Sequence, residues 1–205
     1  MSPMPDGERT AIISPDTERK LRVPPGQRQT EEMPVLHHGH VQKVDVGRWR
    51  FRITGLVGKL TELSFAEFSS LPMTRVVSDI HCVTGWSKLD NVWEGVSSGE
   101  VGRLAEILPE AKFVMIHSAG GFTTNLSTED FFGNDVVFAL RHNGEPLTPE
   151  HGYPVRLVVP RLYFWKSAKW VEGVQFMDRE ELGFWETHGY HRRGDPWKEE
   201  RYSGD

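Results

Sequence analysis

Apolar and polar positions alternate most clearly in "RWRFRITG", where Trp49, Phe51 and Ile53 interleave with Arg50 and Arg52. A period of two predicts a half-buried strand over residues 48–55. In "LSFAEFSSLP" the pattern changes: Ser64 followed three residues on by Glu67 is a capping box, and it opens a short helix that Pro72 ends. "TRVVSDIHC" is rich in β-branched residues and reads as a strand that delivers Cys82 at its end, before a tight Gly-Trp turn. A second S-x-x-E pair, Ser97 and Glu100, precedes Val101, Leu104, Ile107 and Leu108 at helical spacing.

Beyond these, "AKFVMIHSAGG" predicts a strand, "GFTTNLS" a partner beside it, and "STEDFF" a single helical turn. "DVVFALRHNGEPL" combines a strand with the Asn143-Gly144 turn signal. Residues 155–159 and 170–178 supply the last two strands. About seven short strands with two or three short helices make an α+β domain over residues 46–186. Before it lies an extended arm, residues 1–45, rich in Pro, Arg, Gln, Glu and His and without apolar periodicity. After it comes a polar tail, residues 187–205, which Trp185, Tyr190 and Trp197 could anchor to the body. Strands do not alternate regularly with helices, and no glycine-rich phosphate loop, CxxC or HExxH motif is present.

Composition narrows the class. With 38% hydrophobic and 26% charged residues the 205-residue chain reads as globular, and a net charge of −5 gives no global pull toward nucleic acid. No stretch approaches the ~20 apolar residues of a membrane span. The N-terminus shows no basic segment followed by an apolar one, and one cysteine cannot build a disulfide framework, so a cytoplasmic protein is the expectation.

That cysteine, Cys82, is core filler, a nucleophile or a metal ligand. As a nucleophile it would need a distant base, because neighbouring His81 points to the other face of a strand. As a metal ligand it is a single soft donor, sufficient for a metal that arrives with its other ligands on an organic cofactor. Such a cofactor would need an anion pocket. "HGYPVRLVVPRLYFWKSAKW" offers one, with Arg156, Arg161, Lys166, Ser167 and Lys169 interleaved with aromatic residues.

Taken in order, "HCVTGWSKLDNVWEGV" and "NGEPLTPEHGYPVRLVVPRLYFWKSAKWV" resemble the molybdopterin-binding domain of the sulfite oxidase family. The likeness, over residues 35–202, is nearest to the compact bacterial branch that is similar to the catalytic subunit of the periplasmic methionine-sulfoxide reductase. It implies a single-domain, mixed-sheet molybdopterin fold holding one molybdenum cofactor, with Cys82 as the protein's ligand to the metal. His151 and Arg156 match positions that contact the pterin and its phosphate. Phe164, Trp165 and Lys166 match the phosphate-side loop, with Ser167 and Lys169 as neighbours. Ser118 matches a hydroxyl residue facing the cofactor, and His37 and His38 resemble an arm that crosses the pterin, either one able to make the contact.

The implied activity is a molybdenum-dependent oxidoreductase that transfers an oxygen atom to or from a small-molecule oxo acceptor or donor. No haem domain is recognisable, so electrons are expected to pass to or from a separate protein partner. The sequence departs from sulfite oxidases in two ways: Thr84, Gly85, Trp86 and Ser87 stand where a substrate-binding arginine is expected, and Leu140 replaces an active-site tyrosine. Sulfite is therefore not the expected substrate. A cofactor-binding carrier without turnover and a Cys82-dependent hydrolase are the alternatives.

Overall fold

A computed structural model of the chain describes residues 11–205. The first ten residues of the arm, with the reading of the N-terminus as free of a targeting signal, lie outside them. Along the chain the strands are β1 (Ile12–Ile13), β2 (Arg28–Gln29), β3 (Arg50–Gly55), β4 (Thr61–Ser64), β5 (Met73–Cys82) and β6 (Trp86–Ser97). There follow β7 (Phe113–Ser118), β8 (Thr123–Ser127), β9 (Val137–His142), β10 (Glu145–Pro146), β11 (Arg156–Val158) and β12 (Val171–Met177). Four short α-helices complete the set: α1 (Phe65–Ser69), α2 (Ser98–Ala105), α3 (Thr128–Phe131) and α4 (Phe184–Thr187). Among the described residues no helix is long and apolar enough to cross a membrane.

Two mixed sheets result. One runs β1-β5-β6-β9-β10, with β2 also on β6 and β11 also on β9; the other runs β4-β3-β12-β7-β8. β3 lies parallel to β12, so a strand near the start of the domain is locked in place by one near its end. Phe51 and Ile53 point between the sheets, as their alternation predicts, and meet Phe68, Phe131, Phe138 and Phe176 in a continuous core. The Phe51 and Phe138 rings meet edge-on at 5.2 Å. Each such aromatic side chain removed from water contributes roughly 1.5–3 kcal/mol.

The caps form as their spacing requires. Ser64 Oγ accepts from the Glu67 amide and Glu67 Oε2 accepts from the Ser64 amide, closing the capping box of α1. Ser97 and Ser127 cap α2 and α3 in the same way, through the amides of Glu100 and Asp130. α2 stops short of the predicted Ile107 and Leu108, because Glu106 takes the left-handed conformation at φ 53° and turns the chain away. Asn143 and Gly144, with φ of 50° and 84°, form the tight turn from β9 to β10.

The sequence reading missed β6. Its alternation breaks midway, where Asp90 takes a φ of 56° and the pairing with β5 shifts register between Ser78 and Ile80. The arm also differs from expectation. β1 and β2 join the larger sheet in parallel, and Arg22 clasps the buried Asp79 carboxylate with two hydrogen bonds of 2.9 and 2.7 Å. Two-residue strands carry no periodicity of their own; tertiary pairing makes them.

Candidate functional site

The hairpin of β5 and β6 sets Cys82 opposite Trp86 across a loop of Val83, Thr84 and Gly85. Gly85 has a φ of 92°, and its amide donates to the Cys82 carbonyl at 2.9 Å. This is the tight turn the sequence announced. It presents the thiol to a cavity of about 310 Å³.

Cys82 is 7% exposed, and its Sγ accepts a hydrogen bond from Thr84 Oγ1 at 3.2 Å. Burial pushes the thiol up, against the opposing effects of Thr84 and the Arg201 charge. Among the described residues no histidine bonds to the sulfur. His81 lies on the opposite face, its Nδ1 2.8 Å from Ser87 Oγ, and burial lowers its pKa to about 4. A protonated thiol without a base is a poor nucleophile, which argues against the hydrolase reading.

Arg156 lines the same cavity. It is 1% exposed and donates to the carbonyls of His151 (3.1 Å) and Ser167 (3.0 Å), with its guanidinium 4.3 Å from the centre of the Phe164 ring. It makes no ion pair among the described residues, and its Nε has no partner. Burial alone lowers its pKa to about 9. Lys169 donates to the carbonyls of Leu36 (2.8 Å) and Glu150 (2.6 Å), and burial with the neighbouring Arg156 charge brings it down to about 7. Two cations without a counter-ion in a sheltered site form a pocket suited to an anion.

His37, His38, His151, Phe164, Trp165 and Ser167 line the same cavity. Both His151 ring nitrogens are engaged, Nε2 with the Met33 carbonyl (3.2 Å) and Nδ1 with Thr148 Oγ1 (3.1 Å). His37 Nδ1 faces the Gly39 carbonyl at 3.2 Å. The His38 ring lies 4.3 Å from the Phe184 ring and has no hydrogen bond among the described residues, so of the two arm histidines it keeps both nitrogens for a ligand.

Three expected residues lie elsewhere, Arg161 among them, paired with the buried Asp135 at 3.2 Å. Lys166 does not line the cavity: it pairs with Glu186 at 2.7 Å, both side chains fully buried, and donates to the Asn125 carbonyl and Oδ1. Its charge is consumed in tying the loop to α4. Ser118, at the end of β7, is also absent from the lining; its Oγ is buried without a partner. Conversely, the tail aromatics Trp185 and Tyr190, read as anchors, form part of the cavity wall together with Phe122 and Trp170. Aromatic residues in a polar tail were the signal available for them.

A pterin-held metal fits this donor set. Among the described residues no cluster of three His, Cys, Asp or Glu could hold a metal ion, so Cys82 can serve only a metal that brings further ligands. The buried Arg156 Nε and Trp86 Nε1, both beside the cavity and unpartnered, are donors ready for such a group.

The comparisons agree with this geometry. The family model described as the oxidoreductase molybdopterin-binding domain matches residues 38–185. The chain is 49% identical over 185 residues to the uncharacterized oxidoreductase YuiH of Bacillus subtilis, covering 90% of this chain and 93% of that one. It is 28% identical over 170 residues to the protein-methionine-sulfoxide reductase catalytic subunit MsrP of Campylobacter jejuni, covering 72% of this chain and 55% of that one. Among solved structures, the sulfane dehydrogenase SoxCD of Paracoccus pantotrophus superposes with a TM-score of 0.64 at 25% identity, over 70% of this chain and 41% of that one. The chain thus spans nearly all of the Bacillus relative but about half of the other two.

Proposed function

The chain belongs to the oxidoreductase molybdopterin-binding domain family, and from that premise we propose that it is a molybdenum-dependent enzyme of oxygen-atom transfer, exchanging electrons with a separate protein. The carrying observation is the cavity itself, lined both by one thiol and by Arg156 and Lys169, which make no ion pair among the described residues. When bound, the cofactor supplies the two-electron redox chemistry. The chain's own residues do the rest. Cys82 would provide the single thiolate that holds the metal. Arg156 and Lys169 neutralise the phosphate end. His38 offers a ring nitrogen to the pterin edge, and Phe164 and Trp165 exclude water beside it. A cytoplasmic location goes with this reading, and fractionation of cells expressing the chain at its natural level checks it.

The test is turnover by cofactor-loaded protein in both directions. Reduced viologen would be followed with sulfoxides, N-oxides and nitrate, and ferricyanide with sulfite. The reading predicts turnover with at least one substrate that Cys82→Ser abolishes. Stoichiometric cofactor with no turnover on any of them would instead establish the carrier alternative.

A further inference from the structure

Residues 31–44 of the arm run beside the cavity without regular structure, and none of them is buried. Both ends of this stretch are fixed. Before it, Arg28 and Gln29 pair with Trp86 and Ser87, and the Thr30 amide donates to the Ser87 carbonyl at 2.9 Å. After it, Trp49 is buried and its Nε1 donates to the Val171 carbonyl at 3.0 Å. A chain held at both ends and loose between them can swing without unfolding the sheets, because local opening costs little where few buried contacts resist it.

Among the described residues only two hydrogen bonds tie the stretch to the rest of the domain. His151 Nε2 donates to the Met33 carbonyl at 3.2 Å, and Lys169 Nζ to the Leu36 carbonyl at 2.8 Å. Both donors line the cavity, and so do Met33 and Leu36 themselves. Met33 and Leu36 precede residue 38, where the family match begins, so these ties lie outside it. His151 has spent both ring nitrogens. Lys169 has a donor left: an ammonium carries three N–H groups, and the Leu36 and Glu150 carbonyls take one each.

We propose that residues 31–44 form a strap over the cavity and that Lys169 is its latch: a phosphate group in the cavity takes the third N–H of the ammonium that holds the Leu36 carbonyl, so that occupancy closes the strap. The proposal rests on the anion pocket of the oxidoreductase reading but needs neither the metal nor turnover. Burial and the Arg156 charge loosen the proton on Lys169, against the opposing effect of Glu150. A phosphate beside it restores the charged form, and a charged donor makes a hydrogen bond about twice as strong as a neutral one. The anion therefore tightens the Leu36 tie. Arg156, whose own hydrogen bonds go to His151 and Ser167, adds attraction for the anion but no tie to the strap.

Trypsin cleavage after Lys43, inside the strap, reports its opening, since proteolysis follows the population of the open form when closing is fast. Cleavage after the exposed Lys59, outside the strap, is the control. Fragments are followed by mass spectrometry for cofactor-free wild type with and without inorganic phosphate, for cofactor-loaded wild type and for cofactor-free Lys169→Met, with phosphate binding measured by calorimetry. In wild type, cleavage after Lys43 should slow about tenfold at phosphate about ten times its Kd, and at least as much with the cofactor loaded. Lys169→Met, which lacks the tie, should be cut there about fivefold faster than wild type without phosphate and gain nothing from phosphate. Cleavage after Lys59 should be the same in every sample, which also confirms that the variant is folded. Phosphate that binds wild type without slowing cleavage after Lys43, or that speeds it, would overturn the strap. So would Lys169→Met cut no faster than wild type, or wild type that binds no phosphate and is cut equally fast with and without the cofactor. Wild type that holds neither molybdenum nor pterin under loading conditions would overturn the oxidoreductase reading, and the phosphate comparison would still decide the strap.

Discussion

Lys169 and Arg156 show what single residues contribute. Folding moves Lys169 from its ordinary 10.5 to about 7. Between those values the unfolded chain binds the more protons, so this group makes the cofactor-free protein more stable as pH rises through that window. Anion binding runs the other way, because the protonated amine strengthens it by one charged hydrogen bond. Sulfate, fully charged throughout, should bind cofactor-free protein about tenfold more tightly at pH 6 than at pH 9, and Lys169→Met should flatten that dependence; calorimetry at the two pH values measures both. The sequence identified Arg156 and Lys169 from charge beside aromatics, and the structure brings both to the cavity. It could not separate Lys166 from them, because Lys166 and Lys169 differ only in which way the loop after β11 turns each side chain. Lys166 is drawn aside by Glu186, which follows it by twenty residues and carries no motif.

At the scale of elements, the β5–β6 hairpin matters most, since its three-residue loop aims the thiol. Gly85→Ala leaves room for the methyl group, whose nearest neighbour would be the Gly26 carbonyl at 3.5 Å, but forces a side chain into φ 92°. The expected cost is about 1–3 kcal/mol, seen in urea melts, together with lower metal retention as Sγ shifts. The Lys166–Glu186 pair holds the loop to α4. Removing the lysine alone strands a buried carboxylate, so Lys166→Met should cost about 3–5 kcal/mol, whereas Lys166→Met with Glu186→Leu should recover most of it. The caps, the half-buried strands and the 143–144 turn were legible because each is specified by residues close in sequence. β6 was not, because a bulge and a positive φ break its period, and β1 and β2 were not, because two residues have no period.

The whole molecule joins its ends around the site. Trp197 Nε1 donates to Asp16 at 3.2 Å and the Arg19 guanidinium lies 4.1 Å from its ring centre, so arm and tail pack on each other behind the Cys82 hairpin. The arm was expected to cross the site through His37 or His38, and the tail to be anchored to the body by its aromatic residues. Met33, Leu36, His37 and His38 from the first and Tyr190 from the second are cavity wall. Deleting residues 190–205 should therefore open the site. In cofactor-free protein, iodoacetamide should label Cys82 at least about tenfold faster than in the full chain, since labelling follows exposure of the thiol; an unchanged rate would show that the tail does not cover it.

The central claim is that Cys82 ligates a metal carried by a pterin. Its most direct test is elemental molybdenum with oxidised-pterin fluorescence, on wild type and Cys82→Ser produced side by side under loading conditions. The account predicts near-stoichiometric metal and pterin in the wild type, with the metal lost or its absorption spectrum altered in the variant. Wild type devoid of both, or a variant with the same metal content and spectrum as wild type, would contradict it.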